Sequence, residues 1–275
     1  MPIVAYLGPE KTNTHLAALS RFGRKARYLH APTVDDVFSL VERRQAEYGV
    51  VPVENSLEGA VAHTLDRFIE FLDTPVRIQG EAKLQVHHSF ITHPKVRLKD
   101  IRAVYSHPQA LAQCRRWLNQ HVPYATRRET NSTADALQYL LHGKNTAARA
   151  AIARAELAKP YRLIAQSIPD QPDNTTRFLI IGLGQPTRGR HNKTSLVLGL
   201  KDKPGALHDV LVPFKRNRIN LTKIESRPSK RKAWEYLFFI DVDGHISEPR
   251  MTRALTALRR STSLLRILGS YPTAR

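Results

Sequence analysis

Short apolar runs alternate with amphipathic stretches over the first two thirds of the chain. Apolar runs predict strands over residues 3–7, 48–53, 84–92, 101–105 and 147–152. Helical spacing of apolar positions predicts helices over residues 14–22, 34–44, 60–72, 109–119 and 133–142. Strands that alternate with helices favour mostly parallel sheets covered by helices. Thr33 and Asp36 have the spacing of a capping pair ahead of the second helix, and Ser132 is placed to cap the last one.

A polar segment containing glycine and proline follows the apolar run 178–183. Residues 185–192 are therefore predicted to link two domains, 1–184 and 193–275. After this linker the predicted order is strand 195–200, helix 206–217, strands 220–226 and 235–241, helix 248–260 and strand 264–270. That βαββαβ order is typical of a small ferredoxin-like module. The fold class predicted for the whole chain is α/β.

The charge of the chain is strongly positive. It has 43 lysines and arginines against 24 aspartates and glutamates, a net charge of +19. Such an excess is compatible with nucleic-acid binding or with a cationic surface that attracts small anions. The basic pairs are scattered without a nucleic-acid motif, and no apolar run is long enough to cross a bilayer, so we expect neither nucleic-acid nor membrane binding.

Cysteine usage and the start of the chain bear on its compartment. The single cysteine, Cys114, cannot form an internal disulfide or supply a structural zinc site alone. The first residues lack the basic and apolar pattern of a secretory leader. A reducing, cytoplasmic setting is therefore expected.

Polar clusters follow several of the predicted strands. Glu54, Asn55 and Ser56 come directly after the strand 48–53, and Ser106 follows the strand 101–105. Residues 131–133 and 174–178 are similar clusters. Each alone is compatible with ordinary capping chemistry, whereas several that face one crevice would form a site for a polar anion.

Six motifs along the chain resemble those of one enzyme family. YLGP at 6–9, VPVENSLEG at 51–59, SHPQA at 106–110 and NTTRF at 174–178 resemble prephenate dehydratase, in the family's order. KPGAL at 203–207 and NLTKIESRP at 220–228 resemble the ACT regulatory domain of the same enzyme. The resemblance covers residues 3–272, nearly the whole chain. No chorismate mutase-like region precedes Met1, so the monofunctional form is expected.

The resemblance implies an enzyme of phenylalanine synthesis that converts prephenate to phenylpyruvate, water and carbon dioxide. It implies a catalytic domain of two α/β lobes, similar to a type II periplasmic binding protein, with the active site in the cleft between the lobes. No metal or redox cofactor is expected, because aromatisation of the ring drives the reaction. The ACT domain implies inhibition by L-phenylalanine and association into a homodimer or homotetramer.

The resemblance also supplies catalytic candidates: Thr176, Arg177, Glu54 and Asn55. A threonine hydroxyl titrates far outside the physiological range, so Thr176 is expected to donate a hydrogen bond to the departing hydroxyl group. Arg177 is expected to clamp a substrate carboxylate with its planar guanidinium. Glu54 is either a proton source, if its pKa is raised, or a residue that orients Asn55 or caps a helix.

Further candidates are assigned to substrate and to phenylalanine. The substrate-binding candidates are Thr12, Ser56, Ser106, Gln113, Ser132, Thr133 and Phe178, of which Phe178 is expected to pack beneath the site. The phenylalanine-binding candidates are Gly205, Ala206, Leu207, Asn220, Leu221, Glu225, Ser226, Arg227 and Pro228. Gly205 would allow close backbone approach of a carboxylate at a helix N-terminus. His107 is expected to be structural.

Three positions depart from the usual residues of the family. Lys11 and Arg162 stand where glycine is usual, and Arg154 stands where a small residue is usual. Because glycine permits a positive φ, Lys11 predicts a changed loop conformation. The two arginines either add attraction for a dianion or obstruct the site. Arogenate dehydratase and a non-catalytic protein that binds an anionic metabolite are the alternative functions.

Overall fold

The computed structural model describes residues 1–70, 72–94, 96–141, 148–159, 161–171, 173–232 and 234–274. The chain forms two compact units, the first made of residues 1–8, 17–84 and 176–275, the second of residues 9–16 and 85–175. Parts of the predicted helices 60–72 and 133–142 and of the predicted strand 147–152 lie outside the described residues. Within the described ranges, no helix combines the length and the apolar character that crossing a bilayer requires.

The strands and helices of the described ranges are numbered in chain order. The strands are β1 Ile3–Leu7, β2 Arg27–Ala31, β3 Tyr48–Asn55, β4 Gly59–Ala60, β5 Arg77–Gln85, β6 Ser89–Thr92, β7 Ala103–Ser106, β8 Thr126–Glu129, β9 Arg149–Ala153, β10 Arg162–Ala165, β11 Thr175–Gly182, β12 Asn192–Leu200, β13 Leu221–Pro228, β14 Tyr236–Asp243 and β15 Thr262–Pro272. The α-helices are α1 Asn13–Phe22, α2 Val34–Glu42, α3 Ala62–Glu70, α4 Pro108–Gln113, α5 Arg115–His121, α6 Ala206–Arg216 and α7 Pro249–Ser261. Short 3-10 helices span Leu98–Asp100, Asp135–Leu140 and Ala155–Leu157.

The first sheet belongs to the first unit and has the strand order β2-β1-β3-β11-β5, with β4 paired to β3. Strand β1 is parallel to β2 and β3, whereas β11 is antiparallel to β3. The Thr33 hydroxyl accepts a hydrogen bond from the Asp36 backbone N–H at 3.1 Å and caps α2, as its spacing predicts. Phe38 of α2 packs edge-on against Phe68 of α3 in the core beside this sheet.

The second sheet belongs to the second unit and has the order β10-β6-β9-β7-β8. It repeats the arrangement of the first sheet, because β7 is parallel to β8 and β9 while β6 is antiparallel to β9. The prediction of mostly parallel sheets is therefore partly wrong. Strands β6 and β11 are the first strands after the chain passes from one unit to the other, so no helical crossover within one sheet imposes a parallel direction on them.

The segment after β8 differs from its predicted structure. In place of a helix over 133–142, the described part contains the 3-10 helix Asp135–Leu140. The Ser132 hydroxyl accepts a hydrogen bond from the Asp135 backbone N–H at 3.0 Å, so the predicted capping contact is present.

The C-terminal module has the predicted βαββαβ order, and its sheet has the strand order β13-β14-β12-β15 with antiparallel neighbours. Leu196 and Leu198 on one face of this C-terminal sheet pack against Val210 of α6 and Met251 of α7. The predicted α/β class and ferredoxin-like module are confirmed. The domain boundaries at 184 and 193 stay a prediction.

The other face of the C-terminal sheet packs on the first sheet and α3. Val197, Phe239 and Leu268 belong to the same buried cluster as Phe68 and Ile78. A Cβ atom on Gly269 would lie only 2.3 Å from the Ile78 carbonyl oxygen, so this close approach of the two backbones requires glycine. The C-terminal sheet thus shares a core with the first sheet, whose strands β3 and β11 carry Asn55 and Thr176.

Candidate active site

Asn55 and Thr176 form a hydrogen-bonded pair at the adjacent ends of β3 and β11. They are register partners across this antiparallel pair of strands, and Asn55 Nδ2 donates to Thr176 Oγ1 at 2.9 Å. The other side of the Asn55 amide accepts from the Leu57 and Glu58 backbone N–H groups at 3.0 and 3.2 Å. Because these backbone donors require the oxygen on that side, the nitrogen must face Thr176.

This orientation of Asn55 determines what Thr176 can do. Thr176 Oγ1 accepts from Asn55, and within the described residues its hydroxyl proton is not donated to a protein acceptor. Both side chains are half-buried, and Ser56 beside them is exposed. The hydrogen bond from Asn55 therefore fixes the position of Thr176 Oγ1, and the Thr176 O–H is available to donate to a ligand.

Arg177 follows Thr176 in β11 and points to the opposite face of the strand, as alternation requires. Its side chain is buried and contacts three carboxylates: Nε lies 2.6 Å from Glu54, Nη1 lies 3.0 Å from Glu81, and Nη2 lies 2.7 Å from Asp241. Burial would lower the pKa of this guanidinium, but the carboxylates raise it above its ordinary value. This placement does not agree with the predicted substrate clamp, because all three nitrogens already contact protein carboxylates.

Glu54 lies opposite Arg177 in the register of β3 and β11. One carboxylate oxygen contacts Arg177 and the other contacts Lys223 Nζ of β13. Burial raises the pKa of Glu54, but Arg177 and Lys223 outweigh burial and the pKa is lowered overall. The two cations therefore favour the ionised form of Glu54, which does not agree with a role as proton source.

Phe178 lies in the core of the first unit. Its ring is 1% exposed and clusters with Tyr6 and Val50. Phe178 lies on β11 itself, two residues after Thr176, and its ring is packed inside the core, so it offers almost no surface to a ligand.

Ser106 and Gln113 lie in the second unit. The Ser106 side chain is fully buried, and its hydroxyl donates to the Ile152 carbonyl oxygen at 2.8 Å, so it connects β7 to the neighbouring β9. This placement does not agree with a substrate contact for Ser106. Gln113 Oε1 accepts from Asn174 Nδ2 at 2.9 Å and lies 3.1 Å from His88 Nε2. Gln113 is half-buried and belongs to an internal polar network of this unit.

The remaining substrate candidates lie at helix starts. Ser132 caps the 3-10 helix Asp135–Leu140, and Thr133 beside it is half-buried. Thr12 donates to the Pro9 carbonyl oxygen at 2.9 Å just before α1. His107 caps α4 by accepting from the Gln109 backbone N–H, which agrees with its expected structural role.

The three departures from the family pattern have different placements. Lys11 has a φ of 67°, so this loop has a left-handed backbone at a residue that is not glycine. The predicted change of loop conformation stays a prediction. Arg154 is buried, donating to the Gln85 carbonyl oxygen at 3.1 Å and pairing with Glu156. Arg162 is exposed at the start of β10.

The residues assigned to phenylalanine lie on α6 and β13. Gly205 caps α6 with a φ of 78°, and a Cβ there would meet no atom within 4 Å, so the backbone conformation alone favours glycine. Ala206 is buried and Leu207 is 39% exposed. Asn220 Nδ2 donates to Asp243 at 3.0 Å just before β13.

Along β13, exposure alternates from residue to residue. Leu221, Glu225 and Arg227 are half-buried, whereas Ser226 and Pro228 are exposed. Arg227 makes a bidentate contact with Asp66 of α3 at 2.9–3.1 Å. Its guanidinium is therefore directed at α3, which packs beside the first sheet.

Four charged residues that contact Arg177 or Glu54, or each other, were missed by the sequence reasoning: Glu81, Lys193, Lys223 and Asp241. One signal was visible, because Asp241 interrupts the apolar run LFFIDV at 237–242. A carboxylate within such a run is costly unless it has a buried partner.

Comparison with known proteins gives consistent results over the whole chain. The family model described as prephenate dehydratase matches residues 4–186, and the ACT domain model matches residues 194–260. A bifunctional chorismate mutase/prephenate dehydratase from Aquifex aeolicus (strain VF5) is 45% identical over 98% of this chain and 74% of its own length. A prephenate dehydratase from Amycolatopsis methanolica is 38% identical over 100% of this chain and 90% of its own. The crystal structure of a prephenate dehydratase from Arthrobacter aurescens in complex with L-Phe has a TM-score of 0.88 at 34% identity, covering 98% of this chain and 89% of that one.

Proposed function

Because the chain belongs to the prephenate dehydratase family, we propose that the Asn55–Thr176 pair assists departure of the ring hydroxyl of prephenate. The family reaction is a decarboxylating dehydration, catalysed by a carbon–oxygen lyase of phenylalanine synthesis, EC 4.2.1.51. The ring C–O bond and the bond to the ring carboxylate break, carbon dioxide leaves, and the released electron pair completes the aromatic ring. The departing oxygen takes up one proton and leaves as water.

The observation that carries this proposal is the direction of the Asn55–Thr176 hydrogen bond. With Oγ1 accepting from Asn55, the Thr176 O–H donates outward, to the oxygen on which negative charge develops. A threonine hydroxyl is too weak an acid to be the net proton source, and Glu54 is ionised. Thr176 therefore acts as a hydrogen-bond donor that stabilises the leaving group.

Substrate contacts are proposed for side chains near helix starts and in the turn after β3. Ser56 is exposed immediately after Asn55, and Thr12, Ser132 and Thr133 are half-buried beside helix N-termini. Hydroxyl groups in such positions suit the carboxylates of a dianion. The half-buried side-chain amide of Gln113 is also proposed to contact the substrate.

Regulation by L-phenylalanine is proposed for the C-terminal module. The ACT match at residues 194–260 and the L-Phe complex of the Arthrobacter relative support it. Gly205 at the N-terminus of α6 and the neighbouring exposed Leu207 offer backbone donors and an apolar contact. We also propose that the protein forms a homodimer or homotetramer and that it is located in the cytoplasm. The edge strand β13 supports association, because its Ile224 is 41% exposed.

The Thr176→Val variant tests the catalytic proposal. Valine keeps the shape of threonine and removes the hydroxyl, so kcat for prephenate is expected to fall by about 100- to 1,000-fold, the loss typical of one transition-state donor. KM is expected to change less than threefold. Thr176→Ser, which keeps the hydroxyl, is the matched control and should retain most of the turnover. Phenylpyruvate absorbance measures both variants, and a valine variant with wild-type kcat would exclude this role.

A further inference from the structure

A network of buried and half-buried charges joins the first sheet to the C-terminal sheet. Arg177 contacts Glu54, Glu81 and Asp241, Lys223 contacts Glu54, and Lys193 contacts Glu81 at 3.2 Å. Three positive and three negative groups are present, so the network is neutral. Half of its members lie on the C-terminal sheet: Lys193 on β12, Lys223 on β13 and Asp241 on β14.

The strand ends that carry the Asn55–Thr176 pair are separated from the regular ladder by a bulge. Arg177 lies opposite Glu54, but Phe178 lies opposite Pro52, which leaves Val53 as an extra residue in β3. A bulge interrupts ladder pairing and changes the direction of the strand. Beyond it, the Arg177–Glu54 ion pair at 2.6 Å is the side-chain contact that fixes the register one residue away from the pair.

Two residues of the C-terminal sheet hold this ion pair in place. Lys223 binds the second oxygen of Glu54, and Asp241 binds Nη2 of Arg177 at 2.7 Å. Asp241 itself accepts a hydrogen bond from Ser195, whose oxygen lies 2.7 Å from the buried Tyr271 hydroxyl. Glu54 and Arg177 are each covalently adjacent to a member of the Asn55–Thr176 pair, so displacement of either one moves that pair.

We propose that Lys223 and Asp241 of the C-terminal module are positioning residues for the dehydration. By holding Glu54 and Arg177, they fix the distance and direction of the Asn55–Thr176 hydrogen bond beyond the bulge. The proposal rests on the proposed role of Thr176. Lys223 lies within the NLTKIESRP motif on β13, the strand that carries several phenylalanine-binding candidates. This strand is therefore also in direct contact with Glu54, the neighbour of Asn55.

The test is a set of kinetic measurements on Lys223→Met and Asp241→Asn in the full-length protein. Each change is expected to lower kcat for prephenate about tenfold and to change KM less than twofold, because a misplaced donor affects the transition state more than binding. Lys223→Arg restores the charge and should recover kcat to within threefold of wild type. Thermal unfolding of each variant defines the temperature at which all are folded during the assay.

Asp66→Asn is the matched control. It removes a carboxylate from another contact of the C-terminal module, in which Asp66 of α3 pairs with Arg227 of β13 and with Lys230 just after this strand. It leaves Arg177 and Glu54 untouched, so kcat should equal that of wild type. A comparable loss of kcat in Asp66→Asn would assign the effect to loosening of the whole interface and would overturn the proposal.

A double-variant cycle separates this inference from the proposed function. If Lys223 acts through Thr176, adding Lys223→Met to Thr176→Val lowers kcat no further. Losses that multiply, or a wild-type kcat in both Lys223→Met and Asp241→Asn, refute the positioning role while leaving Thr176 as donor. A wild-type kcat in Thr176→Val instead refutes the proposed function. Should Lys223→Met fail to fold, Asp241→Asn enters the same cycle.

Discussion

Replacing Arg177 with methionine distinguishes a buried structural cation from a substrate clamp. Methionine removes the charge and keeps a long apolar side chain in the cavity between the two sheets. Glu54, Glu81 and Asp241, which lie 2.6–3.0 Å from the guanidinium, would then lose their shared partner. Removing one member of a buried ion pair costs about 3–5 kcal/mol in the free energy of unfolding. That is a large part of the roughly 5–15 kcal/mol that a folded domain has in total.

The pH dependence of this loss follows from the carboxylates. In the wild type, burial raises the pKa of Glu54 and of Glu81, but the neighbouring cations outweigh burial and lower both. Their stabilisation is therefore present above the unfolded pKa and is lost as the pH falls through the lower folded values. Without Arg177 the burial effect is less opposed, so both folded pKa values rise. The destabilisation should be largest near pH 7 and smaller near pH 5.

Urea unfolding followed by circular dichroism at pH 5, 6 and 7 measures these differences. Arg97→Met is the control, because Arg97 and its partner Asp100 are exposed and no measurable change in the unfolding midpoint is expected. A loss below about 1 kcal/mol in Arg177→Met, together with a KM for prephenate raised tenfold or more, would refute the buried-cation reasoning. That result would instead support Arg177 as the residue that binds a substrate carboxylate.

Two further changes test other sites. Gly205→Ala adds a Cβ at a φ of 78°, a conformation that costs L-residues about 1–2 kcal/mol. The variant is expected to bind L-phenylalanine more weakly in calorimetry, with little loss of kcat. If the wild type shows neither binding heat nor inhibition, the regulatory proposal is rejected. Ser106→Ala removes the buried hydrogen bond to the Ile152 carbonyl and should cost about 1–2 kcal/mol in urea unfolding. KM for prephenate is expected to stay unchanged in Ser106→Ala, and an increase without destabilisation would instead make Ser106 a substrate ligand.

The C-terminal module could be predicted from the sequence, because its strands and helices have clear periodicity and short connections. The Asn55–Thr176 contact was anticipated only in part. Polar clusters after strands indicated that such residues would gather, but the antiparallel direction of β11 depends on a passage between units that hydrophobic pattern does not reveal. Alternation along β11 implies that Thr176 and Arg177 face opposite sides. Which of those sides is covered depends on the packing of the C-terminal sheet, which no local pattern encodes.

The same dependence explains the outcomes for Arg177 and Glu54. A family motif identifies both residues but does not say what they contact. The carboxylates around Arg177 and the cations around Glu54 include residues 81, 223 and 241, which lie far away in the sequence. Glu54 is ionised because of these long-range partners, so its protonation state could not be read from the motif alone.

The order in which the sheets can form during synthesis follows from their chain composition. The strands of the second sheet come from one continuous stretch, from Ser89 to Ala165. The first sheet is instead discontinuous, because β1 to β5 lie within residues 3–85 and their partner β11, Thr175–Gly182, is made last. A ribosome adds about 5–20 residues each second, so the N-terminal strands wait several seconds for their missing neighbour. During that interval the unpaired backbone groups along the edge of β3 are exposed to other chains, a hazard that the later arrival of β11 removes.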